Sequence, residues 1–146
     1  LVCNALLSIK GHQRNAAPCL ARLNAMRQIT LDGKLIWWQQ PEQKTLFYGS
    51  RDAATVETTA LAALALLGPQ DNTAMSDPID RVTAHKPLAW LAGQRDRLGT
   101  WSTTQATVLA LKALVTGTQN AAHQTTERRI AVELQGRLIQ EIVIPT

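Results

Sequence analysis

Two stretches of this chain repeat each other, and the repeat limits the folds open to it. The text AATVETTALAALALL, residues 53–67, is apolar nearly all round. Forty-eight residues later, Gln105 stands where Glu57 stood, and Thr107 matches Thr59. Leu109, Ala110, Ala113 and Leu114 then match Leu61, Ala62, Ala65 and Leu66. Ala5-Leu6 before Gly11 is a weaker third echo. A helix with so little charge on any face must be surrounded by protein. A period near fifty residues, at order-of-magnitude accuracy, holds two helices and two connections, the mark of stacked helical hairpins. In each hairpin the near-uncharged helix is expected inside and an arginine-bearing helix outside.

Helix punctuation fills in the elements. Leu1 to Lys10 reads as helix closed by Gly11, and Pro18 suits the first turn of a second helix carrying Leu20, Leu23 and Met26. Residues Leu31 to Ser50 read as a long irregular loop with Asp32-Gly33 as a turn. Leu35-Ile36-Trp37-Trp38 is a short extended run there. The third helix spans Ala53 to Leu67 and stops at Gly68-Pro69. Pro87 is expected to open the fourth, running to about Arg95, with a kinked helix from Ile79 as the alternative. The fifth is expected from Ser102 or Thr103 to Gly117. Beyond it Ile130, Val132 and Leu134 alternate with polar neighbours, Gln135-Gly136 turns the chain, and Leu138 to Ile144 is a second strand-like run. The fold class is therefore all-α hairpins from 1 to 120, with 121–146 as a linker and a β-hairpin-like tail.

Composition narrows the function. Hydrophobic residues make up 45% of the 146, but aromatics only 4%, so the core is built from Ala, Leu and Val. The formal net charge of +4 is mild, and arginines such as Arg14, Arg22, Arg27, Arg51, Arg81, Arg95 and Arg97 are scattered. Nucleic-acid binding has no support in that pattern. No apolar run reaches the ~18 residues needed to span a bilayer. The chain has no initiator Met and starts inside an apolar run, which reads as a piece of a longer protein. If helices near 1–10 and 17–28 form an antiparallel hairpin, Cys3 and Cys19 lie on the order of 10–15 Å apart, too far to bridge. Two small buried thiols are the expectation.

The motifs then take on a family character. Val56-Glu57-Thr58-Thr59-Ala60-Leu61 enters one helix, and Trp90-Leu91 with Gln94-Arg95 marks the next. Gly99-Thr100-Trp101-Ser102-Thr103-Thr104-Gln105-Ala106-Thr107 enters the third. In this order they resemble the thioester-containing domain of the alpha-2-macroglobulin and complement family. Thr100 departs from the family's usual second Gly, and there is one extra residue around Ser102-Thr103-Thr104. The resemblance implies an α/α toroid, with residues 1–120 as its C-terminal half and the tail as the start of a following β-sandwich. It also implies a protease-trapping, endopeptidase-inhibiting parent in an extracellular, periplasmic or cell-surface setting. The partners it implies are proteases or target surfaces, with the rest of the toroid and a β-sandwich in the parent. The family's thioester sits in Cys-Gly-Glu-Gln. Cys3 is followed by Asn4-Ala5-Leu6 and Cys19 by Leu20-Ala21-Arg22, so neither qualifies, and no catalytic, cofactor or metal residue is expected in this segment.

The remaining candidates have plainer readings. Ser102, Thr103 and Thr104 are candidate nucleophiles at a helix start, but His85 and His123 are expected in unrelated loops, and a nucleophile needs a base. One hydroxyl is better read as an N-cap, with Gln105 closing the first turn. Glu57 and Asp52 as an acid/base pair compete with Glu57 as a first-turn residue favoured by the helix dipole, with Arg51 or Arg81 as partner. His12, His85 and His123 have no ligand spacing. Trp37, Trp38, Trp90 and Trp101 read as rim packing. Two rival functions are a terpene-cyclase or prenyltransferase-like enzyme toroid, which needs an acidic cluster or zinc ligands, and a helical-repeat interaction module. A half ring also exposes its end helices. Leu6, Leu7, Val108, Leu111 and Val115 are the expected uncovered surface, with self-association as the outcome.

Overall fold

The computed structural model of the chain describes residues 1–9, 13–39, 51–68, 81–122, 128–134 and 137–144. Among the described residues five helices follow one another: α1 (Val2–Ser8), α2 (Ala17–Ala25), α3 (Arg51–Leu67), α4 (Arg81–Gly93) and α5 (Thr104–Ala122). A 3₁₀ turn, Gln13–Ala16, precedes α2. Strands β1 (Gln28–Ile29) and β2 (Ile36–Trp37) make a small antiparallel hairpin after α2. At the C-terminal end β3 (Arg128–Leu134) pairs antiparallel with β4 (Arg137–Ile144), with a register shift between Val132 and Glu133. The Gln135-Gly136 turn expected between them lies outside the described residues, as do Lys10-Gly11 and Pro69.

Alternate helices form an inner row, in which α1 packs on α3 and α3 on α5, while α2 and α4 flank it. The core divides on α3. Its Ala62, Ala65 and Leu66 join Cys3, Leu7, Leu20, Ile36 and Trp38 in one cluster. Its Ala53, Val56, Ala60 and Ala63 join Leu88, Leu91, Trp101, Ala106, Ala110 and Ala113 in another. Alanine at these contacts lets helix backbones approach closely, and it carries no side-chain entropy cost.

The two clusters are built alike. In the first, the Trp38 N–H donates to Thr59 Oγ1 at 3.0 Å, and the Trp38 indole N–H donates to the Leu23 carbonyl at 2.7 Å. In the second, the Trp101 N–H donates to Thr107 Oγ1 at 3.1 Å, and its indole N–H donates to the Leu91 carbonyl at 2.7 Å. Thr59 and Thr107 are the pair matched by the 48-residue repeat. Each Trp thus fastens the end of an outer helix to the next inner helix. Both indoles are buried, so each N–H needs the partner it has. A second tie joins the repeats: Trp37 stacks on Trp90 of α4, ring centroids 6.2 Å apart and planes within 12°.

Several elements differ from the sequence expectation. Cys3 and Cys19 form a disulfide, with Cα atoms 5.7 Å apart. The expected thiols rested on a simple antiparallel hairpin. Instead the chain returns through the 3₁₀ turn, which packs on both α1 and α2, and brings the two helix starts together. Pro87 lies inside α4 rather than opening it, which favours the alternative of a helix that begins well before the proline. Pro87 is fully buried, and that burial offsets a missing backbone hydrogen bond, which costs about 3 kcal/mol or more in a helix interior. Gly117 does not end α5. A Cβ there would strike Leu88 Cδ1, so the glycine marks a close approach of α4 and α5. The long loop holds two short strands, and β1 lacked any alternating pattern to announce it. Leu7 is buried in the first cluster, not uncovered.

Thr59 is fully buried and both accepts from the Trp38 N–H and donates to the Trp38 carbonyl at 3.3 Å. Thr59→Val keeps the shape and orphans both backbone groups, so it should cost about 1–3 kcal/mol. Thr58→Val, which removes only a bond to the Ala54 carbonyl of the same helix, is the control and should be near neutral. Urea unfolding curves of the two variants check this.

Candidate functional site

The richest polar geometry lies at the entry to α5. Asp96 organises the turn before it. Its Oδ1 accepts the N–H groups of Leu98 and Thr100, each at 2.9 Å, and its Oδ2 accepts the Thr100 hydroxyl at 2.5 Å. The Asp96 N–H donates back to the Thr100 carbonyl at 2.9 Å, and Gly99 sits at φ +81° to let the chain reverse. The Thr100 hydroxyl and then the Thr100 amide hold the Asp96 carboxyl below its ordinary range, with the Leu98 and Ser102 amides adding to the effect. The β1–β2 turn has the same device. Asp32 accepts the Thr30 hydroxyl at 2.6 Å and the Lys34 N–H at 3.1 Å, and Gly33 follows at φ +68°. Thr30 and then Lys34 hold the Asp32 carboxyl low as well.

Ser102 sits at φ +63°, and across it the Thr103 N–H donates to the Trp101 carbonyl at 2.6 Å, a tight γ-turn. The bend aims the Trp101 ring into the core while α5 leaves in another direction. Thr103 is the N-cap, its Oγ1 accepting the Ala106 N–H at 3.1 Å. Gln105 is one residue short of the position a capping box requires, which Ala106 holds. The Thr103 hydroxyl therefore caps α5, Ser102 turns the chain through its backbone, and His85 stands exposed on α4 rather than in a loop.

The acid pair also separates. Asp52 is exposed in the first turn of α3, while Glu57 is buried a turn and more further on, outside the first-turn position expected of it. The side chains of Arg51 and Arg81, and His12 and His123, lie outside the described residues. A cavity of about 230 Å³ lies beside Glu57, between α1 and α3, with Cys3, Asn4, Leu23 and Leu61 in its wall. Its polar groups are occupied. Cys3 is in the disulfide, the Asn4 amide donates to the Leu61 carbonyl at 2.9 Å, and Thr58 donates to Ala54. Among the described residues no group of three His, Cys, Asp or Glu could hold a metal ion.

Inner and outer helices alternating along an arc, each pair fastened at one rim, are the architecture of an α/α toroid. The family model of the A-macroglobulin TED domain, the thioester-containing domain, matches residues 1–116, and the chain belongs to that family. This is a structural thioester domain rather than a catalytic enzyme domain. Among the described residues no helix is long and apolar enough to cross a membrane.

What sequence reasoning missed was the use of the repeat. Thr59 and Thr107 were paired, but the tryptophans they hold were not. The signal was present, since Trp38 and Trp101 each follow an Asp–Gly-bearing turn.

Two measurements check this reading of the α5 entry. Replacing Ser102 with Gly should not destabilise the chain, whereas Ser102→Val should cost about 1–2 kcal/mol, because a β-branched residue resists positive φ. Melting temperatures of the two variants decide it. Asp96 has a lowered folded pKa, so its contribution is present above the ordinary carboxylate value of 3.8 and is lost as pH falls through the lower folded value. Relative to the intrinsic exchange rate at each pH, amide protection at Leu98 and Thr100 should fall as pH drops through that window, and Asp96→Asn should remove this fall in protection.

Proposed function

We propose that this chain is part of the supporting wall of the thioester domain in an alpha-2-macroglobulin-like protein that traps proteases. The match to the A-macroglobulin TED domain over residues 1–116 carries the reading. The α5 entry supports it, because Thr103 serves as the helix cap and Ser102 as the residue of a tight backbone turn, as in a wall segment. The Cys3–Cys19 disulfide supports an extracellular, periplasmic or cell-surface setting, since such bonds persist where the environment is oxidising. Residues 1–120 act as the toroid part. Residues 121–146 lead into a following β-domain, because a two-stranded hairpin such as β3–β4 is marginal in water unless further strands or a helix cover it.

On this reading the native protein, recovered from its source with antibodies to this chain, should retain a broad-specificity protease through gel filtration. Pretreatment with methylamine, which consumes a thioester, should abolish any covalent part of that retention. The 146-residue chain alone should incorporate no amine. Protease that elutes wholly unretained from the native protein would overturn the proposal.

A further inference from the structure

The two turns that deliver the tryptophans share a second property. Each holds a leucine out in solvent: Leu31 is wholly exposed in the β1–β2 turn, and Leu98 is 88% exposed in the turn before α5. Both turns are fixed by hydrogen bonds. Leu31 lies between Thr30 and Asp32, whose side chains are bonded at 2.6 Å, and the Gly33 N–H returns to the Thr30 carbonyl at 2.9 Å. The Leu98 N–H is tied to Asp96 Oδ1, and the Gly99 N–H returns to the Asp96 carbonyl at 3.0 Å. A loose loop can fold its leucine back onto the protein surface, whereas these bonds fix each leucine backbone at the tip of its turn.

The two tips belong to one rim. Each turn leads into a tryptophan clamp on an inner helix, Trp38 on Thr59 and Trp101 on Thr107, and the 48-residue repeat makes those positions equivalent. Trp37 of β2 also stacks on Trp90, near the end of α4, and the Asp96 turn follows from that end. Met26 and Ile29, 50% and 44% exposed, extend the apolar surface at the base of the hairpin. This rim runs across the row of inner helices rather than closing its ends, so further helices on either side lengthen the rim instead of covering it. The β3–β4 tail leaves from the far end of α5, about 28 Å away for 19 residues at about 1.5 Å each.

Charge selects the partner. Arg95 and Arg97 are exposed on either side of Asp96, and exposed Lys34 follows Gly33. The two carboxylates beside them are already engaged, Asp32 by Thr30 and Lys34, and Asp96 by Leu98 and Thr100. A protein partner must offer a shaped pocket to each of two separate tips. The interfacial layer of a bilayer accepts apolar side chains at any spacing and draws basic residues to anionic headgroups.

We propose that this rim docks on an anionic phospholipid surface, with Leu31 and Leu98 entering the headgroup boundary and Arg95, Arg97 and Lys34 meeting lipid phosphates. The contact is peripheral and reversible, since two leucines and their half-exposed neighbours offer far less apolar area than a spanning helix. It is independent of protease trapping. A native protein that traps protease, beside a chain that ignores lipid, would sink this contact and leave the trapping proposal standing.

Co-sedimentation of the 146-residue chain with large vesicles tests it. Phosphatidylcholine vesicles containing phosphatidylglycerol should pellet the chain with an affinity at least tenfold above that of phosphatidylcholine alone. The double variant Leu31→Ser with Leu98→Ser should weaken binding to the mixed vesicles at least tenfold. Arg97→Gln should weaken it about fivefold, as expected for one basic residue near an anionic surface. Leu111→Ser, in the middle of α5 rather than at the rim, should bind as the parent chain does. All these positions are exposed, and circular dichroism with a melting curve confirms that each variant stays folded. Equal binding to the two vesicle types would overturn the proposal. So would a double variant that binds undiminished, or binding that is lost in Leu111→Ser instead. A chain that pellets with neither vesicle also overturns it, and leaves the two leucines to a protein partner.

Discussion

A buried tryptophan held at both its nitrogens is the contact on which the rest of this structure depends. The backbone N–H of Trp38 or Trp101 goes to a threonine on an inner helix, and the indole N–H goes to the last turns of an outer helix. The alanine-rich faces of α3 and α5 supply area for packing but little shape to fix a register. Small side chains slide past one another more easily than interlocked large ones. Directional bonds in a dry setting choose one arrangement among many near-equal ones, because leaving either N–H unpaired is costly. The alanines bring the helices close, and the tryptophans decide where along each other they stop.

The turns before each tryptophan serve the same end. Asp32 and Asp96 each draw hydroxyl and amide donors into one carboxylate, and a glycine at positive φ completes each reversal. A rigid turn delivers the indole to its pocket with little freedom left to lose. The disulfide acts at the opposite margin. It closes the 16-residue span from Cys3 to Cys19, and loops of that size stabilise by about 3 kcal/mol in the chain-entropy account. Helix α1 has only seven residues and one bond to a distant backbone through Asn4, so it gains most from that closure.

Much of this was legible in the sequence. The inner helices announced themselves because residues 53–67 are apolar all round, and Thr59 with Thr107 betrayed the repeat. The family followed from the motifs at Val56, Trp90 and Gly99. What stayed hidden depended on chain separation or on context. The disulfide was lost because the residues between the two helices read as an ordinary connection, while the 3₁₀ turn Gln13–Ala16 packs against both α1 and α2. Pro87 and Gly117 read as helix ends because their local preference is to break helices, and burial of Pro87 and the close approach of Gly117 to Leu88 override it. The site yielded least, since an N-cap and a strained turn use the same Ser and Thr that a nucleophile would.

The two tryptophan clamps differ in reach. Trp101 finds its partners 10 residues back and 6 ahead, whereas Trp38 looks 15 back and 21 ahead. Closing the longer forward loop costs about 1 kcal/mol more in chain entropy, before any contact rewards it. Local contacts also form faster than distant ones. The two repeats, alike once formed, therefore need not form together. The α4–α5 unit is the one a disordered chain reaches first, and α3, docked on it through Ala60 and Ala63, becomes the template on which α1, α2 and the β1–β2 hairpin assemble.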